Sequence, residues 1–75
     1  MEELIRALEE VRPDVDFTAE KKLIDDGILD SFDIIQVVIA LNDTFDIEID
    51  VEELEPENFN SAEAMWDLVQ RLQEE

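Results

Sequence analysis

Seventy-five residues carrying 23 acidic and 5 basic side chains give a formal net charge of −18, room for one small domain over residues 1–75 and no second core. That charge disfavours nucleic acid and anionic membrane surfaces as partners and favours basic patches on other proteins. The chain has no cysteine and no histidine, which excludes disulfides and thiolate metal sites and removes the usual base of nucleophilic catalysis. Acidity alone would be compatible with disorder, but 45% of the residues are hydrophobic and they recur at helical spacing, so a folded all-α domain is expected. No apolar run is long enough to enter a membrane, and Met1-Glu2-Glu3 lacks the positive start of a signal peptide. A cytoplasmic protein, monomeric and without membrane insertion, is the expectation.

The first predicted helix covers about residues 2–12. Glu2 and Glu3 suit the positive end of its dipole, and Leu4, Ile5, Leu8 and Val11 form its apolar stripe. Arg12 suits the last turn, and Pro13 stops the helix by pushing the residue before it out of the α region. A long connection then runs to residue 30 with Val15, Phe17, Leu23, Ile24, Ile28 and Leu29 in it. So many large apolar groups predict a loop packed along the bundle, and long loops in small domains often carry function.

Gly27 signals a turn, and Asp30 is a good N-cap with Asp33 placed to complete a capping box. A second helix is therefore predicted over about 31–45. Ile34, Val37, Val38, Leu41 and Phe45 share its core stripe, while Phe32, Ile35 and Ile39 make a second stripe on a flank beside Ser31. Spacing alone favours extra core for that second stripe, with a docking surface as the alternative. Phe45 to Asp50 alternates like a strand but has no partner strand, so an extended connection is expected. Asp50 with Glu53, and Ile49 with Leu54, suggest a capping box and staple for a short third helix over about 51–55. Pro56 to Phe59 reads as a turn that returns Phe59 to the core. Asn60 and Glu63 are read as caps for the last helix, about 61–73, where Met65, Leu68, Val69 and Leu72 form the stripe and Trp66 flanks it half-buried.

Few chemistries remain open. Ser31 has no His, Cys or Tyr to activate it, Lys21 and Lys22 fall on exposed positions, and no glycine-rich oxyanion loop follows the serine. An EF-hand register fails, because counting back from Gly27 puts Lys22 at the first ligand position. Loose Mg²⁺ or Ca²⁺ association with Asp43, Asp46, Glu48 and Asp50 would be charge relief, and no metal site is predicted. What the residues do offer is a serine in the first turn of a helix, where free N–H groups and the dipole suit a phosphate. Position alone would also allow an ordinary helix-start serine.

The stretch Asp30-Ser31-Phe32-Asp33, preceded by Gly27-Ile28-Leu29 and followed by a helix ending Ala40-Leu41 to Phe45-Asp46, resembles the acyl carrier proteins. The likeness runs over essentially the whole chain. It implies a four-helix bundle with a long loop between helices 1 and 2 and a short helix 3. It further implies 4′-phosphopantetheine esterified to Ser31 by a separate phosphopantetheinyl transferase, with an acyl or aminoacyl group held as a thioester on that arm and shuttled between enzymes. By the same resemblance Asp30 is the acid before the attachment serine, Phe32, Ile35 and Ile39 are apolar positions that partners touch, and Asp33 and Asp43 meet basic groups on partners. Those partners would be the transferase and the loading and transferring enzymes. Val37, Val38, Leu41 and Phe45 match core positions where carriers can enclose an acyl chain. Gln36 and Asn42 replace acids common in fatty-acid carriers, and the run Gly27 to Phe32 is closer to D-alanyl and stand-alone aminoacyl carriers. Two rival readings are an acidic helical interaction module with Ser31 unmodified or phosphorylated, and a small enzyme subunit.

Overall fold

Glu2 and Glu3 open helix α1 (Glu2–Val11), whose Leu4, Ala7 and Leu8 are buried on its inner face. The structure, a computed structural model, describes residues 2–74. Helix α2 (Ser31–Phe45) follows the long connection, and after an extended stretch come a single 3-10 turn (Val51–Glu53), helix α3 (Pro56–Phe59) and helix α4 (Ala62–Glu74). Among the described residues there is no strand: of the Phe45–Asp50 alternation, Phe45 ends α2, Asp46 is a left-handed turn, and residues 47–50 form the connection. Helix α1 packs chiefly on α2, α4 touches both, and α3 sits on α4. Val37 and Leu41 from α2, Met65, Leu68 and Val69 from α4, and Phe59 from α3 fill the centre with the α1 residues. Ile34, Val38 and Phe45, read as core, pack against that centre while staying partly exposed. Trp66 is half-buried and meets Phe45 edge to face, with ring centroids 5.8 Å apart.

The connection from Arg12 to Asp30 is part of the core. Phe17, Leu23 and Leu29 are buried in it, and Val15, Ile24 and Ile28 pack alongside. Local bonds shape it. The Asp16 carboxylate accepts from both the N–H and the hydroxyl of Thr18, which holds it below the usual carboxylate range. Gly27 takes φ +71°, where an L side chain is strained, and lets the chain turn so that Leu29 N–H reaches the Leu23 carbonyl at 2.9 Å. A long-range anchor completes it: Asn60 accepts from Leu23 N–H through its own carbonyl, and its side-chain oxygen accepts from the N–H groups of Ile24 and Asp25 at 3.0 and 3.1 Å.

That anchor corrects the reading of Asn60 as a helix cap. Ser61 caps α4 instead, its hydroxyl accepting from Ala64 N–H at 3.1 Å. A second correction concerns residues 51–59. Asp50 makes no side-chain cap bond, and the expected helix over 51–55 is one 3-10 turn ending at Glu53. The cause is Pro56, which forces Glu55 into the β region (φ −111°, ψ 145°) and then starts a new helical turn as its first residue. The stretch read as a turn is thus helix α3.

Charge opposes this packing. Leu23 to Gln70 holds no Lys or Arg, and Glu55 is raised above its ordinary range by the hydrogen bond it shares with Glu57, by that neighbour's charge and, beyond these, by Glu53. Ion pairs of Arg12 with Asp14 and Asp33, of Lys21 with Glu63 and of Arg71 with Glu53 offset a little of it. Added salt or Mg²⁺ is expected to raise the melting temperature by several degrees, because screening shortens the reach of repulsion from about 10 Å at 0.1 M salt to about 3 Å at 1 M. A melting temperature indifferent to salt would mean that the folded state is not under this strain.

Candidate functional site

Ser31 is the first residue of α2 and lies exposed at its N-terminus. Asp30 before it is the N-cap, extended at φ −98° and ψ −177°. The expected capping box is complete: Asp33 N–H donates to Asp30 Oδ1 at 2.9 Å, and Asp30 N–H donates to Asp33 Oδ2 at 3.3 Å. The box satisfies the third N–H of the helix, and Ile34 N–H bonds the Asp30 carbonyl at 3.0 Å. The N–H groups of Ser31 and Phe32, and the Ser31 hydroxyl, find no acceptor or donor among the described residues. A phosphodiester on Ser31 Oγ would therefore meet open donors at the positive end of a 15-residue helix. Ser61, the other serine, has its hydroxyl committed to capping α4.

Beside Ser31 opens a cavity of about 370 Å³, lined by Asp30, Ser31, Ile34, Ile35, Leu54 and Phe59 among others. It lies between α2 and the segment 54–59. Val37 and Leu41, read as core positions, are buried in the core. Sequence reading missed the lining role of Leu54, which it had assigned to a staple; the signal available was Pro56, whose interruption leaves Leu54 41% exposed.

The second stripe of α2 is surface. Phe32, Ile35 and Ile39 are 68%, 54% and 57% exposed, against the inference from spacing alone and in keeping with the resemblance. Ile35 lines the cavity, whereas Phe32 and Ile39 line a shallower groove against α1 with Glu10, Val11 and Gln36. Asp43 is exposed one turn beyond Ile39. Asn42 has a structural task in place of a charge: its side-chain oxygen accepts from Ile49 N–H at 2.9 Å, and its carbonyl from Ile47 N–H, holding the exit of α2 where Asp46 adopts the left-handed conformation.

Asp33, expected to face basic groups on partners, points elsewhere. Its side chain is 14% exposed and paired with Arg12 at 2.6 Å. Asp14, and after it Asp33, hold the Arg12 guanidinium protonated far above its ordinary range, and Arg12 in return lowers Asp14. Asp43, Asp46, Glu48 and Asp50 are not gathered, and among the described residues no three acidic side chains form a group that could hold a metal ion. No helix among them is long and apolar enough to cross a membrane.

Comparison with known proteins agrees with this geometry. The family described as "Phosphopantetheine attachment site" matches residues 2–74. The D-alanyl carrier proteins of two strains of Lactobacillus delbrueckii subsp. bulgaricus are each 32% identical over 56 residues, spanning 75% of this chain and 70% of theirs. No solved structure gives a significant match. The chain belongs to the phosphopantetheine-attachment family and is a phosphopantetheine carrier protein, of a class that bears the group covalently and is not itself catalytic.

Proposed function

We propose that Ser31 is the attachment residue, modified by a phosphopantetheinyl transferase, and that the protein shuttles an acyl or aminoacyl thioester between enzymes in the cytoplasm. The observation that carries this reading is the free, exposed Ser31 hydroxyl at the start of α2, beside open N–H groups and an apolar cavity. In the modification Ser31 Oγ attacks the coenzyme A phosphorus that bears the pantetheine. The P–O bond to 3′,5′-adenosine bisphosphate breaks, and the serine proton passes to a base that the transferase must provide, since this chain has no histidine. The bound group supplies the thiol that holds the cargo, and the absence of cysteine leaves no competing thiol in the protein.

The chain's own residues supply placement. The acidic surface steers the carrier to basic partners, and Phe32, Ile35 and Ile39 give an apolar contact next to the attachment point, with Asp43 on its flank. The likeness to D-alanyl carrier proteins favours a small aminoacyl cargo over a long fatty chain. Incubation with coenzyme A and a broad-specificity transferase is expected to add the mass of one phosphopantetheinyl group to the intact protein. No gain with a transferase active on a control carrier would return the chain to the acidic interaction module.

A further inference from the structure

Arg12 is one of five basic residues, and its charge is turned inward. Its side chain is 29% exposed and makes four hydrogen bonds to three separate stretches of chain. Nε and Nη2 clasp the carboxylate of Asp14 at 3.0 and 2.9 Å. Nη1 donates both to the Ile28 carbonyl at 3.1 Å and to Asp33 Oδ2 at 2.6 Å. Ile28 lies three residues before Ser31 and Asp33 two after it, so one guanidinium ties the Ile28 backbone and the Asp33 side chain, on either side of the serine, to the end of α1. The oxygen it holds, Asp33 Oδ2, is also the one that receives Asp30 N–H in the capping box. An isolated surface ion pair contributes little. A planar fork that bonds a carbonyl and two carboxylates at once fixes geometry, and a lysine ammonium cannot reproduce it.

We propose that Arg12 is a positioning residue for the modification of Ser31: by joining Ile28 to Asp33 it fixes the first turn of α2 and thereby the direction in which the Ser31 hydroxyl is presented. This rests on Ser31 being the attachment residue. Without Arg12, the Asp33 carboxylate loses its counter-charge and the Ile28 carbonyl loses a donor, the capping box loosens, and the hydroxyl spends less time in the attacking orientation. Rates of this kind are sensitive to misplacements of about 1 Å.

Charge and geometry predict opposite signs. Replacing Arg12 makes the carrier more acidic, so an effect through charge alone would improve docking to a basic transferase. Positioning predicts the reverse, a fall in kcat on the order of tenfold for Arg12→Gln, with Arg12→Lys intermediate. Lys21→Gln, which breaks the pair with Glu63 elsewhere on the surface, should leave kcat unchanged. A second readout needs no modification: amide exchange at Asp30, Asp33 and Ile34 in the unmodified protein is expected to quicken about tenfold in Arg12→Gln, while α4 amides keep wild-type protection. Unchanged exchange at those three amides, or acceleration spread evenly over all helices, would overturn the proposal, as would an unchanged or higher kcat. A wild-type protein that takes up no arm at all would overturn the attachment reading instead, and the exchange would still report whether Arg12 holds the turn.

Discussion

Ser31→Ala is expected to abolish uptake of the phosphopantetheinyl group completely while leaving the fold as it is. The hydroxyl makes no hydrogen bond among the described residues and the side chain is exposed, so its removal should change stability by no more than about 0.5 kcal/mol. The capping box is unaffected, because its two members are Asp30 and Asp33. Intact mass and thermal melting measured on the same preparation separate the two effects. A variant that still gains the arm would place attachment elsewhere, and one that melts early would give Ser31 a structural role that nothing in its surroundings explains.

Phe17→Ala is expected to be the most damaging single truncation in the long connection. Phe17 is 2% exposed and sits in the main core although it lies in no helix. Emptying such a site costs about 3–5 kcal/mol, comparable to the ~3–5 kcal/mol that a single core supplies in a domain of this size. Phe32→Ala is the matched contrast: the same atoms are removed from a residue 68% exposed, and stability should move by about 0.5 kcal/mol or less. Its effect should fall on partner enzymes. Urea unfolding of the pair tests this directly. A Phe17 variant with a wild-type midpoint would mean that the connection is not anchored by its apolar residues.

What the sequence made legible was local. Asp30 and Asp33 are three residues apart, and spacing of that kind declares a capping box without knowledge of the rest of the chain. The apolar positions of α1 and α4 could be read for the same reason, and the apolar content of the connection announced that it would pack. Long-range partners could not be read. Asn60 stood where a helix cap was plausible, but its side chain reaches residues 35 and 36 positions away, and Ser61 takes the cap. Arg12 fitted a helix C-terminus, and its pairing with Asp33, 21 residues on, needed the fold. Spacing alone also misjudged Phe32, Ile35 and Ile39, since periodicity shows that residues share a face and not whether another element covers it. Here Ile35 borders the segment 54–59 and Phe32 and Ile39 border α1, and neither neighbour covers the face.

The two serines provide the sharpest test of the site. Both stand at helix starts, but Ser31 has a free hydroxyl, whereas Ser61 spends its own on Ala64. Fragment-mass mapping of the modified protein should place the whole phosphopantetheinyl mass on Ser31 and none on Ser61. The group found on Ser61, or divided between the two, would contradict attachment at the start of α2.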